Sequence, residues 1–275
     1  MKPITTLCIM IPLATILLSF PCQSQTFEGT HLSNITPSYA MPPFVYENNR
    51  MVLITFKTSP HVIRALVPEL LSINQDSLMT IYVGAMNLID PKQITYYEAG
   101  IMIPAAYGDI KGSYMPVLYL DKALPIIIGR EIWGFPKFQA DFNFVVKDGI
   151  VQASVVMEGV TLIDATLHLG KPILPKVSPP SSFFLMKSIP SAKGNSTYDV
   201  KQLTTAVIRD LMNSEVYPGE ATLRLGSTVS DPLGMIPVVE IVSGVYTIGR
   251  FVLDYGEVVY DYREKPRASE NVSPK

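Results

Sequence analysis

Residues 141–157 read DFNFVVKDGIVQASVVM. Two short runs rich in β-branched and aromatic residues flank Lys147-Asp148-Gly149. Asp-Gly is a strong signal for the tight turn of a β-hairpin. The stretch therefore predicts two antiparallel strands, 141–146 and 150–157, joined by a tight turn.

Most of the chain on either side of this hairpin follows the same pattern. Short apolar runs broken by Pro, Gly or Asp predict further strands at 51–58, 80–88, 99–106, 113–120, 125–128, 161–169, 221–225, 237–242, 246–252 and 258–262. The Pro-rich stretch 171–182 has no period and predicts a loop or crossover. No internal repeat and no domain boundary interrupts the series.

One segment differs and predicts an amphipathic helix near the N-terminus. Ser59 is a capping residue and Pro60 suits the first helical position. The residues that follow place an apolar face at helical spacing: Val62, Ile63, Leu66, Val67, Leu70 and Leu71. Many short strands with one helix predict a mainly β fold, a closed or nearly closed barrel whose inward side chains form a pocket.

The first 24 residues have the three parts of a secretory signal peptide. Lys2 gives a positive start, residues 7–18 are nearly all apolar, and Pro21 precedes the small-residue site Cys22-Gln23-Ser24. The alternative is a membrane anchor, but the apolar run is short for a bilayer. We expect a secreted or periplasmic protein beginning near Gln25, without cysteine and without stable membrane association. An extended arm (25–49), the main domain (50–263) and a polar tail (264–275) then follow.

Composition excludes several functional classes. The chain is 48% hydrophobic and 17% charged, with a formal net charge of −2, which argues against disorder and against a nucleic-acid partner. His31, His61 and His168 lie far apart, and both cysteines precede residue 25, so we expect no metal site. No Gly-x-Ser-x-Gly motif or phosphate-binding glycine loop is present, which disfavours serine hydrolases and nucleotide binding.

The segment that carries chemistry is residues 129–138, GREIWGFPKF. It contains the only tryptophan, Trp133, and places Lys137 between Phe135-Pro136 and Phe138. Apolar surroundings disfavour the charged ammonium and so favour the neutral amine, which is the form that attacks a carbonyl. Alternatively, the lysine stem packs on the aromatic rings while its charged head reaches water.

From about Arg50 to about Tyr262 the chain resembles the acetoacetate decarboxylase family. Five blocks match in order: 97–104 (Tyr-Glu-Ala-Gly followed by Ile-Pro), 111–121, 129–137 (Gly-Arg-Glu, then Pro-Lys), 237–243 and 258–262. The resemblance implies an acetoacetate-decarboxylase-like β-barrel and a homo-oligomer. It also implies decarboxylation of a small-molecule β-keto acid with neither a metal nor an organic cofactor.

Carried over residue by residue, the resemblance implies three catalytic residues. Lys137 is the imine-forming lysine, Glu98 is the glutamate of the family's pocket, and Arg50 is the arginine that interacts with it. The glutamate would orient the leaving carboxyl group or carry protons to the enamine carbon. Without a catalytic role, Glu98 would be an exposed strand residue and Arg50 the end of the N-terminal arm.

Two positions depart from the family pattern. Phe138 replaces a second lysine that follows the nucleophile, so desolvation alone would activate the amine. Tyr82 replaces a second pocket glutamate and offers a hydrogen-bond donor where a carboxylate would not. Together with Phe135, these two residues form the predicted substrate-binding set.

These observations predict decarboxylation of acetoacetate or a related 3-oxo acid through a lysine Schiff base, giving a methyl ketone and CO2. Because the same iminium ion serves other reactions, a Schiff-base aldolase, dehydratase or hydratase acting on a 2-keto acid is the alternative enzyme. Tyr82 keeps that alternative open. A barrel that binds small ligands without converting them is the third hypothesis.

Overall fold

The computed structural model of the chain describes residues 39–175, 181–194 and 197–264. Two helices are described, α1 (Pro60–Leu66) and α2 (Ala123–Ile132), and one turn of 3-10 helix at Leu233–Met235. The strands are β1 (Phe44–Lys57), β2 (Ser72–Ile73), β3 (Leu78–Asp90), β4 (Ile94–Tyr107), β5 (Ile110–Tyr114), β6 (Leu118–Leu120), β7 (Lys137–Gln139), β8 (Asp141–Lys147), β9 (Ile150–Met157), β10 (Val160–Leu169), β11 (Ser181–Pro190), β12 (Tyr198–Leu225), β13 (Glu240–Asp254) and β14 (Val258–Asp261). The fold is mainly β, as predicted.

One sheet contains all the strands. Its central path is β11-β5-β4-β3-β1-β13-β12-β10-β9-β8, and β11 also pairs with β12. Neighbouring strands are antiparallel except for the parallel pairs β5–β11 and β6–β7. The short strands β6 and β7 extend the sheet beside β4, and β7 begins at Lys137.

The sheet has a hydrophobic core on each face. Along β1, Val52 and Ile54 pack into the larger core, whereas the intervening Leu53 packs against the smaller one. On β3, Tyr82 lies opposite Leu53 and belongs to the smaller core. Because successive strand residues point to opposite faces, strands buried on both sides read as continuous apolar runs. The smaller core also contains Trp133 and Phe135.

The hairpin predicted at 141–157 is confirmed. Strands β8 and β9 pair antiparallel, with Lys147 opposite Ile150. Asp148 and Gly149 both have positive φ, 51° and 75°. That conformation at both central residues is the requirement of a type I′ turn.

Three expectations about the elements were wrong. Residues 125–128, predicted as a strand, lie in α2. Pro125 and Gly129 are buried at helical i, i+4 spacing, and Ile126 and Ile128 pack against the smaller core. Tertiary packing therefore overrides the strand preference of β-branched residues. The predicted helix extends only to Leu66 and not to Leu71. Strand β11 and residues 198–220 of β12 were not predicted, since they lack a clear apolar alternation.

The boundary between the arm and the domain also moves. Strand β1 begins at Phe44, so residues 44–49 belong to the sheet and not to an extended arm. The predicted signal peptide, His31 and the polar tail beyond residue 264 lie outside the described residues. Within the described residues, no helix is both long and apolar enough to cross a membrane.

Candidate active site

Lys137 is positioned by the turn that ends α2. The carbonyl of Gly129 accepts hydrogen bonds from the backbone N–H groups of Trp133, Gly134 and Phe135. Gly134 has φ of +86°, a conformation that favours glycine and reverses the chain after the helix. The chain then enters β7, where Lys137 lies beside Leu118 of β6. The exposed fraction of Lys137 is only 6%.

Glu98 of β4 pairs with this lysine. Its Oε2 lies 3.0 Å from Lys137 Nζ, and both side chains are almost fully buried. Its Oε1 accepts a 2.7 Å hydrogen bond from the hydroxyl of Tyr82. Oε2 accepts no hydrogen bond from the described residues and lies in ionic contact with the Lys137 ammonium. This oxygen is therefore available to exchange a proton with the amine.

Tyr82 is held as a neutral donor. Burial raises its pKa well above the ordinary value, and the negative charge of Glu98 raises it further. Gly100 lies opposite Tyr82 in the β3–β4 register. A Cβ at Gly100 would be 2.9 Å from Tyr82 Cε1 and 3.0 Å from its hydroxyl oxygen. The glycine thus leaves the space that the ring occupies beside Glu98.

These groups face a small cavity of about 50 Å³. Tyr82, Glu98, Phe135 and Lys137 form one part of its wall, and the Phe135 ring centroid lies 5.0 Å from Lys137 Nζ. The other lining residues are largely apolar: Tyr46, Met86, Tyr96, Met115, Phe183, Ile208, Phe251 and Leu253. An amine and a carboxylate in contact inside an apolar cavity can support carbonyl addition with proton transfer between the two groups.

Two predicted site residues lie away from the cavity. Phe138 is 41% exposed, because its side chain points to the opposite side of β7 from Lys137, and Arg130 lies over its ring. Phe138 therefore does not desolvate the amine in this structure. Phe135, whose ring packs edge to face on the buried Trp133, supplies apolar surface beside the amine instead.

Arg50 is exposed and does not line the cavity. The β1 register shifts between Tyr46 and Arg50, so Arg50 shares a face with Val52 and not with Leu53. It lies near Tyr246 of the larger core, where burial raises the pKa of that tyrosine and the positive charge of Arg50 partly offsets the rise. The predicted interaction with Glu98 is absent from the described contacts.

Two tyrosines that line the cavity, Tyr46 and Tyr96, were not predicted as site residues from the sequence. Their hydroxyl oxygens are 3.0 Å apart and hydrogen-bonded. Strand alternation could have found Tyr96, since it lies two residues before Glu98 and so on the same face of β4. Tyr46 had no such signal, because it precedes the register shift in β1.

A second lysine, Lys187, stabilises the turn that carries Lys137. Lys187 of β11 donates a 2.9 Å hydrogen bond to the carbonyl of Ile132, and the hydroxyl of Thr204 donates to the carbonyl of Trp133. Burial lowers the pKa of Lys187, while the charge of Glu131 partly offsets the effect. Lys187 lines a separate cavity and contacts neither Glu98 nor Lys137.

The described residues contain no group of three or more His, Cys, Asp or Glu side chains placed to hold one metal ion.

Comparisons with known proteins agree with the fold and with one another. A family model described as acetoacetate decarboxylase (ADC) matches residues 30–263. Acetoacetate decarboxylase from Paraburkholderia phytofirmans is 30% identical over 241 residues, which cover 85% of this chain and 93% of that protein. A solved structure of acetoacetate decarboxylase is 25% identical, with a TM-score of 0.75 over 83% of this chain and 94% of that one. The enduracididine biosynthesis enzyme MppR, complexed with pyruvate, is 17% identical and shares the fold, with a TM-score of 0.70 over 84% and 94%.

Proposed function

This chain belongs to the acetoacetate decarboxylase family, and we propose that it decarboxylates acetoacetate or a related short 3-oxo acid through an imine on Lys137. The observation that supports this most strongly is the 3.0 Å contact between Lys137 Nζ and Glu98 Oε2 inside the apolar cavity. The contact gives the amine a neighbouring base, which can remove the proton that blocks nucleophilic attack.

In the proposed reaction, Glu98 takes a proton from the Lys137 ammonium. The neutral amine adds to the C3 carbonyl of the substrate, and the resulting carbinolamine takes up one proton from solvent and loses water to give an iminium ion. The bond between C1 and C2 then breaks, its electron pair moves toward the iminium nitrogen, and CO2 leaves behind a neutral enamine. The protonated Glu98 gives its proton to the enamine carbon, and water hydrolyses the new iminium ion to release the methyl ketone and restore the Lys137 ammonium beside the Glu98 carboxylate.

Tyr82 is a positioning residue in this scheme. Its hydrogen bond fixes one oxygen of Glu98, which leaves the other directed at Lys137. A carboxylate at position 82 would instead repel Glu98 and raise the cost of keeping both charged. Tyr82 therefore supports a site that works with one carboxylate.

A second candidate function is an aldolase, dehydratase or hydratase reaction on a 2-keto acid, which would use the same iminium ion. Two observations favour keeping it: Tyr82 replaces a carboxylate that resemblance to the family implies, and the fold is shared with an enzyme that has been solved with pyruvate. Such a reaction would form the imine but release no CO2.

The test is the measurement of CO2 and ketone released from acetoacetate by the wild-type chain and by Lys137→Arg. We expect both products in equal amounts from the wild type and neither from the variant, because a guanidinium does not form an imine. Lys147→Arg, a change at a highly exposed lysine outside the cavity wall, is the matched control and should retain turnover. Imine formation with pyruvate and no CO2 from acetoacetate would favour the second function instead.

Three further features belong to the proposal. Export after removal of residues 1–24 rests on the sequence pattern of that segment. A homo-oligomer rests on the family resemblance. A closed barrel is supported by the pairing of β11 with both β5 and β12, which links the two ends of a seven-strand path.

A further inference from the structure

A pair of tyrosine hydroxyl groups lies in the same cavity as Lys137. Tyr46 of β1 and Tyr96 of β4 are 6% and 3% exposed, and their rings pack edge to face with centroids 6.4 Å apart. Their hydroxyl oxygens are 3.0 Å apart. Tyr96 and Glu98 share a face of β4 two residues apart, so their backbone positions are about 7 Å apart along the strand. The pair thus lies beside the Glu98 carboxylate, displaced from it by two residues along β4.

The tyrosine pair has one hydroxyl hydrogen that its own hydrogen bond does not use. Two hydroxyl groups bring two hydrogens, and their mutual hydrogen bond uses only one of them. Among the other cavity donors of the described structure, the Tyr82 hydroxyl donates to Glu98, and the Lys137 nitrogen, which is paired with Glu98, becomes the imine nitrogen in the proposed reaction. Since the remaining lining residues are Met, Phe, Ile and Leu, the tyrosine pair holds the one spare hydroxyl hydrogen of the described cavity wall.

The pair stays neutral at any pH near 7. Burial raises the pKa of Tyr46 far above the ordinary value, and although the hydrogen bond from Tyr96 opposes this, the negative charge of Glu98 adds to it. Burial likewise raises the pKa of Tyr96. Both hydroxyl groups therefore remain protonated and act as donors, not as anions.

We propose that the Tyr46–Tyr96 pair binds the carboxylate of the keto acid that forms the imine on Lys137. This inference rests on the proposed imine chemistry and adds the specificity determinant. Glu98 repels a second carboxylate, so the acid group of the substrate is directed away from it and toward the spare hydroxyl. Arg50, the cation expected from the sequence, lies on the other face of the sheet and cannot replace the tyrosines.

A neutral recognition site suits decarboxylation. A carboxylate bound only by phenols in an apolar cavity loses much of its hydration without gaining a cationic partner. Departure as CO2 removes that charge, so the transition state is stabilised relative to the bound substrate. An arginine in the same place would hold the carboxylate firmly and would favour binding over loss of CO2.

The test compares two ligands that form an imine or enamine with lysine but differ in charge. Acetoacetate carries the carboxylate, whereas 2,4-pentanedione has a similar size and no carboxylate. Borohydride trapping with acetoacetate, and the absorbance of the enamine formed with the diketone, give a half-saturating concentration for each ligand. These are measured for the wild type, for Tyr46→Phe/Tyr96→Phe, and for Tyr114→Phe, a buried tyrosine outside the cavity that serves as control.

We expect the double variant to raise the half-saturating acetoacetate concentration about tenfold or more, the size of a lost hydrogen bond to a charged group. The diketone value should change less than about twofold, since phenylalanine keeps the shape of the wall, and Tyr114→Phe should change neither. Equal shifts for both ligands, or no shift, would overturn the carboxylate assignment. Absence of an adduct with either ligand in the wild type would instead overturn the proposed function.

Discussion

Gly129 lies directly against the side chain of Lys137. A Cβ at position 129 would be 2.8 Å from both Cδ and Cε of the lysine and 3.1 Å from Nζ. The first two distances are shorter than carbon atoms tolerate, and the lysine is enclosed by Phe135 and Glu98 on other sides. The glycine of the 129–131 block therefore provides the space that the Lys137 side chain occupies, which gives a physical reason for a glycine at this position.

Gly129→Ala should consequently impair the site while leaving the helix intact. Alanine favours a helix over glycine by about 1 kcal/mol, so α2 itself should not be weakened. The displaced Lys137 should lower kcat by about 10²-fold, the loss expected when a reacting group moves by about 1 Å. Steady-state kinetics together with circular dichroism measure both effects. Ile127→Ala, an exposed change in the same helix, is the control, and normal kcat for Gly129→Ala would contradict this packing argument.

Glu98→Gln separates proton transfer from imine formation. Glutamine retains the shape and can still accept the hydrogen bond of Tyr82, but it cannot carry a proton to the enamine carbon. We expect turnover to fall about 10²-fold or more, while a borohydride-stable adduct on Lys137 still forms but more slowly, because the ammonium must then lose its proton to water. Glu240→Gln, which changes an exposed carboxylate paired with Lys57, should have no effect. Turnover close to normal in Glu98→Gln would assign Glu98 to structure alone.

The two phenylalanines that flank Lys137 in sequence should behave differently. Phe135 lines the cavity, whereas Phe138 points out of it beneath Arg130. Phe135→Ala should admit water around the amine and lower kcat/KM by at least about tenfold, because a charged ammonium is then better solvated. Phe138→Ala should remain within about twofold of the wild type. Measurement of kcat/KM for both variants tests this difference. A larger loss in Phe138→Ala than in Phe135→Ala would support the desolvating role that the sequence predicted for Phe138.

The ion pair between Arg209 and Asp254 should give a pH-dependent contribution to stability. The hydrogen bond from Arg209, followed by that from the backbone N–H of Tyr255, lowers the pKa of the Asp254 carboxyl group below its usual value. A lowered carboxyl pKa stabilises the fold above the unfolded-state value of about 4, and this stabilisation is lost as the pH falls through the folded-state value. Since both side chains are partly exposed, the effect is small.

Thermal unfolding of Arg209→Gln should therefore show a Tm a few degrees at most below that of the wild type at pH 7. The difference should shrink as the pH falls below about 4, where the carboxyl group takes up a proton in both proteins. Lys147→Gln, which removes a weak and highly exposed pair with Asp148, is the control. A constant difference at all pH values would show that Arg209 acts by packing and not by charge.

The sequence predicted those parts of the molecule that local chemistry determines. The Asp148-Gly149 turn could be identified because only a few residues accept the positive φ that a type I′ turn requires. Lys137 and Glu98 were identified from short blocks of family resemblance, and the structure brings them within 3.0 Å. Tyr82 was predicted as a donor, and it donates to Glu98.

The two residues whose positions were predicted wrongly, Arg50 and Phe138, are placed by strand register and strand alternation, which the local sequence indicates only weakly. Asn48, with φ of 54°, lies in the irregular part of β1 where one shift of register reverses the face of every later residue, including Arg50. The face on which Phe138 lies was likewise predicted wrongly, because residues 137–139 were not predicted as a strand. Alternation along β7 places Phe138 on the opposite side from Lys137. Asparagine adopts positive φ more often than most residues do, so the Asn48-Asn49 pair is the sequence feature that indicates this irregularity.

The central claim is that Lys137 forms a covalent imine with a keto acid. The most direct test is borohydride reduction in the presence of acetoacetate, followed by mass mapping of the peptides that contain Lys137 and Lys187. We predict an isopropyl group on Nζ of Lys137, which arises when the imine loses CO2, is protonated and is then reduced, and no modification of Lys187 despite its lowered pKa. An unmodified Lys137, or modification confined to Lys187, would contradict the account.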